Sequence, residues 1–210
     1  MLRPTPSLER TLASEADMVP PTNNAEFGSS LKCLSDAQLL RLIYSTWDFQ
    51  QALSAVTFLL EDCDYGSEYD AVSLRRLRCY EATAIISFCR PLEPARGSTI
   101  LGLRALGVRL ASDEEKLKER ITQLRRKVVA HSDEDAMLFL AEIVQPLDDF
   151  PYEVPNFQFK ESLYLAEAEA HDLQHLLRKL LHRMTDELLQ MAHVAPQRLI
   201  NLSRTIVRVK

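Results

Sequence analysis

From Lys160 to Ala192 apolar residues recur every three or four positions, and this spacing constrains the fold more than any other feature. Ala166, Ala170, Leu173, Leu177, Leu180, Met184, Leu188 and Met191 make a heptad-like seam, as in a bundle helix or a coiled-coil partner. A strand would need alternation by two, so the reading here is one long helix. Three further segments carry helical periodicity. Ser35 is placed to cap a helix with Gln38 at its third position. That helix runs to about Glu61 on Leu39, Leu40, Ile43, Trp47, Ala52, Val56, Leu59 and Leu60, with Trp47 expected in the core. A second spans about Tyr69 to Cys89, its buried side supplied by Tyr69, Val72, Leu77, Tyr80, Ala84, Ile85 and Phe88. A third starts at Ser112 with Glu115 as a capping box and carries Leu117, Ile121, Leu124 and Val128, ending near His131. The predicted fold class is all-α, a bundle of about four principal helices.

Between these helices the chain is punctuated by turn chemistry. Residues 1–34 mix proline, serine, threonine and acids without periodicity, and Pro20-Pro21 would stop any helix begun at Leu8. They are expected to form a flexible arm. Arg90-Pro91-Leu92-Glu93-Pro94 ends the second helix. A short helical stretch follows over Thr99 to Leu106, closed by Gly107. Ser132-Asp133-Glu134-Asp135 reads as the cap of a short helix through about Val144, and Gln145 to Phe159 as an extended connection. The bundle domain is placed at 35–195 and a C-terminal tail at 196–210, where Ile206-Val207-Arg208-Val209 suits a strand or a last helical turn.

Composition excludes several classes. With 46% hydrophobic and 26% charged residues the chain is of ordinary globular type. A net charge of -5 argues against a generally basic nucleic-acid coat, although a local basic groove remains compatible with it. No apolar run is long enough to span a membrane, and Met1-Leu2-Arg3-Pro4-Thr5-Pro6 lacks the apolar core of a signal peptide. Cys33, Cys63, Cys79 and Cys89 show no CxxC spacing and are expected as reduced, mostly packed thiols, which places the protein in the cytoplasm. His171 and His175 lie four apart on one helix face, but no HExxH and no third ligand accompany them, so no metal or cofactor is expected.

The chemistry concentrates in Leu124-Arg125-Arg126-Lys127-Val128-Val129-Ala130-His131-Ser132-Asp133. Cleaving a phosphodiester without a metal takes a proton-transfer group and fixed cations. His131 suits the first role, because imidazole titrates near neutrality. Arg126 or Arg125 suits the second, because a guanidinium stays charged and matches phosphate oxygens as a fork. In an ideal α-helix the five steps from Arg126 to His131 would splay the two side chains by roughly 140°. Convergence would then need the reach of Arg126, a helix that ends near His131, or a second subunit.

This run resembles the R-x4–6-H signature of the HEPN superfamily, in the branch that carries Arg-x-Lys-x-x-Ala-His-Ser-Asp and resembles AbiU-type abortive-infection proteins. The resemblance implies a helical bundle, often dimeric, in which many members are metal-independent endoribonucleases with paired motifs forming one cleft across the dimer. It assigns Arg126 and His131 as the catalytic pair for a spacing of four, or Arg125 and His131 for a spacing of five. It leaves Arg125 and Lys127 to attract the RNA backbone. Directly after the arginine, active members usually carry Asn, Asp or His; here that place holds Lys127, or Arg126 in the longer spacing. Partners implied are RNA, a second copy in a homodimer, and a cognate antitoxin, with no membrane. The alternative is a non-catalytic helical interaction protein that dimerises or binds a partner through its long C-terminal helix.

Overall fold

A computed structural model of the chain describes residues 34–94, 100–129, 138–145 and 152–203. The expected N-terminal arm, His131 and the strand-like run at 206–209 lie outside these residues. Among the described residues the architecture is mainly helical, with one two-stranded sheet.

Helix α1 (Asp36–Asp62) lies at the centre of the bundle. Its start follows the sequence. The Gln38 amide donates to Ser35 Oγ at 3.3 Å, and the Ser35 amide donates back to Gln38 Oε1 at 2.8 Å, so two otherwise orphaned amides are satisfied. Its buried stripe is Leu39, Leu42, Phe49, Ala52, Val56 and Leu59. Trp47, expected in the core, is instead 62% exposed. The reason is helical phase: Trp47 is five residues past Leu42 and two before Phe49, and about 100° per residue turns it away from both.

Helix α2 (Ala71–Cys89) starts two residues later than expected because Asp70 takes the cap, accepting from the Val72 and Ser73 amides at 2.8 and 2.9 Å. Val72, expected on the buried side, is exposed in that first turn, and the packed side begins at Leu77. Ion pairs Arg76–Asp62 at 3.8 Å and Arg90–Asp48 at 3.5 Å fix α2 antiparallel to α1. The ring of Phe88 meets that of Phe49 at 6.0 Å between the two helices.

A 3₁₀ turn (Leu103–Leu106) is shorter than the expected stretch from Thr99, residues 100–102 being non-helical, but it closes at Gly107 as the sequence indicates. Gly107 has φ 67°, and its amide donates to the Arg104 carbonyl at 3.0 Å. A Cβ there would meet Arg183 at 3.4 Å, an ordinary contact, so the cost of a side chain is conformational. Gly107→Ala is expected to lose about 1–2 kcal/mol, read as an earlier thermal transition; an unchanged transition would show that the turn relaxes to negative φ.

Helix α3 (Ser112–Leu124) packs Leu117, Ile121 and Leu124 inward. The cap is shifted by one from the expected Ser112/Glu115 pair. Ala111 occupies the cap position, and its amide donates to Glu114 Oε2 at 2.7 Å. Only this half of the box exists, because alanine has no side-chain acceptor. Beyond Leu124 the backbone widens into a π turn (Arg125–Val129).

The segment expected to be a short helix up to Val144 is instead strand β1 (Phe139–Val144). It pairs antiparallel with β2 (Val154–Phe159), which was expected only as extended connection. Phe139 faces Phe159, Ala141 faces Phe157 and Ile143 faces Pro155. Aromatic and β-branched residues on both segments favour the pleated pairing.

Helix α4 (Glu167–Val194) begins later than the expected Lys160, with Ala166 at the cap position and the Ala166 amide donating to Glu169 at 2.9 Å. The seam lies in the core: Ala170, Leu173, Leu177, Leu180, Met184 and Met191 are buried. Gln174 donates to Thr57 Oγ1 at 3.0 Å, and Arg198 Nη2 lies 2.7 Å from Asp36 Oδ1, so α4 runs antiparallel to α1. A last helix, α5 (Pro196–Leu202), opens on proline and rests Leu199 and Leu202 against the core. No described helix is long and apolar enough to cross a membrane.

Candidate functional site

The π turn sets the geometry at the motif. In α-helical winding Arg125 and Arg126 would point about 100° apart. Here both reach the carboxylate of Glu93. Arg126 Nε donates to Oε1 at 2.7 Å, and Arg125 Nη1 lies 2.8 Å from Oε2 as an ion pair that is not aligned as a hydrogen bond. Glu93 itself is nearly buried, and its backbone amide donates a hydrogen bond to the Cys89 carbonyl at 3.0 Å in the turn after α2. Two guanidiniums on one carboxylate leave a net positive charge. Lys127 is exposed beside them and adds to it. The two arginines are not equivalent: the Arg126 side chain is 62% exposed and Arg125 38%. Arg126 is held through Nε, so its Nη atoms have no protein partner among the described residues.

Beneath this group lies Cys89, buried, with its thiol 3.9 Å from the Ile121 carbonyl. Burial, and then the nearby charge of Glu93, push its pKa up to about 12. It is a packed, inert thiol rather than a nucleophile. Cys63 is half-buried, whereas Cys79 is exposed, contrary to a packed reading for that residue; Cys33 lies outside the described residues. A cavity of about 1180 Å³ opens beside the Glu93 turn between Leu92, Leu101, Arg104, Val108 and Lys118.

Of the predicted site residues, Arg125, Arg126 and Lys127 are therefore brought together on one turn, while the placement of His131 lies outside the described residues. Glu93 was read in the sequence only as part of a helix stop. An acid between prolines carries no local signal of a distant arginine pair, so nothing in the sequence marked it.

The other basic residues of this region are also ion-paired. Arg75 and Arg78 share Glu161, at 2.6 and 3.9 Å, and the Arg78 guanidinium lies 5.2 Å from the centre of the Tyr164 ring. Arg90 faces Asp48. His171 and His175 are exposed, and among the described residues no group of three or more His, Cys, Asp or Glu is placed to hold a metal.

Glu81 is a second buried acid. Arg90, at the end of the same helix, is engaged with Asp48. Glu81 Oε1 accepts from the Tyr164 and Leu165 amides, each at 2.7 Å, and ties α2 to the turn before α4. Burial raises its pKa to about 7, against the opposing effect of those amides and of Arg78 and Arg120.

No family model, no curated protein and no solved structure matches this chain.

Proposed function

We propose that the protein is a metal-independent endoribonuclease of the HEPN type, acting as a toxin or abortive-infection effector in a helical, dimeric scaffold. The observation that carries this reading is the π turn that gathers Arg125, Arg126 and Lys127 directly before Ala130-His131-Ser132-Asp133. Such turns recur at functional sites.

In the proposed chemistry, Arg126 holds the scissile phosphate and neutralises the charge that develops on it. The ribose 2′-oxygen attacks phosphorus, losing its proton to a base, and the 5′-oxygen leaves with a proton. His131 serves as that base or as the acid. The products are a 2′,3′-cyclic phosphate and a 5′-hydroxyl. Arg125 and Lys127 attract the backbone. A cognate antitoxin would act by covering this face.

Incubating a mixed RNA pool with the protein in EDTA tests the reading. Cleavage that persists under chelation and disappears in His131→Ala is the expected result. Cleavage by His131→Ala at the parental rate would defeat it. The second reading, an interaction protein working through the long C-terminal helix, has less surface to use, because the α4 seam is occupied inside the bundle.

A further inference from the structure

The β1–β2 hairpin exposes what a helical bundle ordinarily buries. In antiparallel register Phe139, Ala141 and Ile143 share one face with Phe159, Phe157 and Pro155. That face has no polar side chain. Phe139 is 59% exposed, Ile143 67%, Phe157 54% and Phe159 56%. The three rings form one cluster, Phe139 lying 5.9 Å from both Phe157 and Phe159. The reverse face is mixed, carrying Leu140, Glu142 and Gln158.

A hairpin in this condition has two problems. Two strands alone are marginal in water and need a third strand or a packed face. An apolar patch beyond a few hundred Å² is also rare on a monomer unless something covers it. Three rings and an isoleucine, each more than half exposed, together with Ala141 and Pro155, present roughly 500 Å². Two such faces in contact would bury about 1,000 Å², the size at which a specific interface becomes sustainable.

Charge decides the occupant. A surface that meets its own copy across a two-fold axis must be free of like charges, since each residue comes close to its symmetry mate. This face has none. A nucleic acid would require cations beside the rings, as single-strand binding sites combine a basic groove with stacking aromatics. Across residues 138–145 and 152–160 the only lysine or arginine is Lys160, at the hairpin's end. Acids are equally sparse, with Glu142 on the reverse face and Glu153 outside the paired strands, so a basic partner finds little to grip.

We infer that the hairpin is the homodimer contact of this protein: two copies pack their phenylalanine faces together across a two-fold axis. The contact stands on the hairpin alone and does not depend on the ribonuclease reading. It also puts the interface on a surface different from the α4 seam.

Sedimentation velocity over a micromolar concentration range tests it, with circular dichroism to show that the helices are retained. The wild type is expected to be a dimer. The double variant Ile143→Lys/Phe157→Lys, which sets like charges against each other, is expected to be monomeric with unchanged helicity, its dissociation constant raised at least 100-fold. Leu189→Lys, on the exposed side of α4, is expected to leave the dimer intact. A wild type monomeric at every concentration would overturn the inference, and so would a dimer that survives the double variant or is lost with Leu189→Lys. Fluorescence anisotropy with a single-stranded RNA closes the remaining route. Binding by a monomeric wild type, lost in the double variant, would make the face a stacking platform for RNA instead.

Discussion

Between about pH 5 and pH 8 the protein is expected to lose about 2–3 kcal/mol of folding stability through Glu81 alone. The carboxyl is buried between α2 and the turn before α4, and burial raises its folded pKa to about 7 against an ordinary 4.5. A raised acid binds its proton more tightly in the folded chain than in the unfolded one. Its contribution is therefore complete below about pH 4.5 and is lost as pH rises through 7. The charges that face it are Arg78 from α2 and Arg120 from α3, and they reduce the shift without cancelling it. Glu187, also raised by burial, adds a slope of the same sign. Asp64, Asp70 and Glu161 have carboxyls held below their usual range by Ser67, by Ser73 and by Arg75, so they act only at more acid pH. The variant that isolates Glu81 is Glu81→Gln, whose amide oxygen keeps both bonds to Tyr164 and Leu165 without titrating. At pH 8 it is expected to melt above the wild type, by roughly 2–4 °C for each kcal/mol in a chain of this size. At pH 5 the two should melt close together. Equal pH slopes in the two proteins would remove Glu81 from this role.

The same residue shows what could be read before the fold was known. That Glu81 sits among small and apolar residues is local and visible in the sequence. Its partners are backbone amides more than eighty positions away, and no local pattern announces them. The rest of the chain divides in the same way. The cap at Ser35, the αL close at Gly107 and the seam of α4 are set by neighbours within a turn or two, so periodicity and capping chemistry located them. Trp47 was assigned by residue type, whereas the helical phase fixed by Leu42 and Phe49 decides its exposure. The hairpin was missed for a further reason: β1 exists because β2 lies opposite it, and Ser132-Asp133 preceding an apolar run is equally good helix-cap chemistry. At the candidate site the cations were legible as a motif. Their arrangement was not, because it depends on a π turn and on Glu93, which lies more than thirty residues away.

That arrangement separates the two arginines in a way the motif alone left open. On the ribonuclease reading, Arg126→Ala is expected to lower kcat/KM for RNA by about 10²–10³-fold, the usual loss when one preorganised donor to a developing charge is removed. Arg126 is the more exposed of the two and has its Nη edge free of protein partners among the described residues, so it is the one able to present a fork to phosphate. Arg126→Lys should recover only part of the loss, because an ammonium gives a charge without the planar fork. Arg125 has another task. Its guanidinium end is directed at Oε2 of nearly buried Glu93, and removing it leaves that carboxylate with one partner in place of two. Arg125→Ala is therefore expected to leave cleavage within a few-fold while costing roughly 1 kcal/mol of stability, the exposure of the pair limiting the loss. Measuring kcat/KM in EDTA and thermal transitions on the same preparations distinguishes these outcomes. Abolished cleavage in Arg125→Ala, with Arg126→Ala active, would move the catalytic pair to Arg125 and His131. It would also reverse the roles of the two guanidiniums, with Arg126 becoming the residue that holds Glu93 in place.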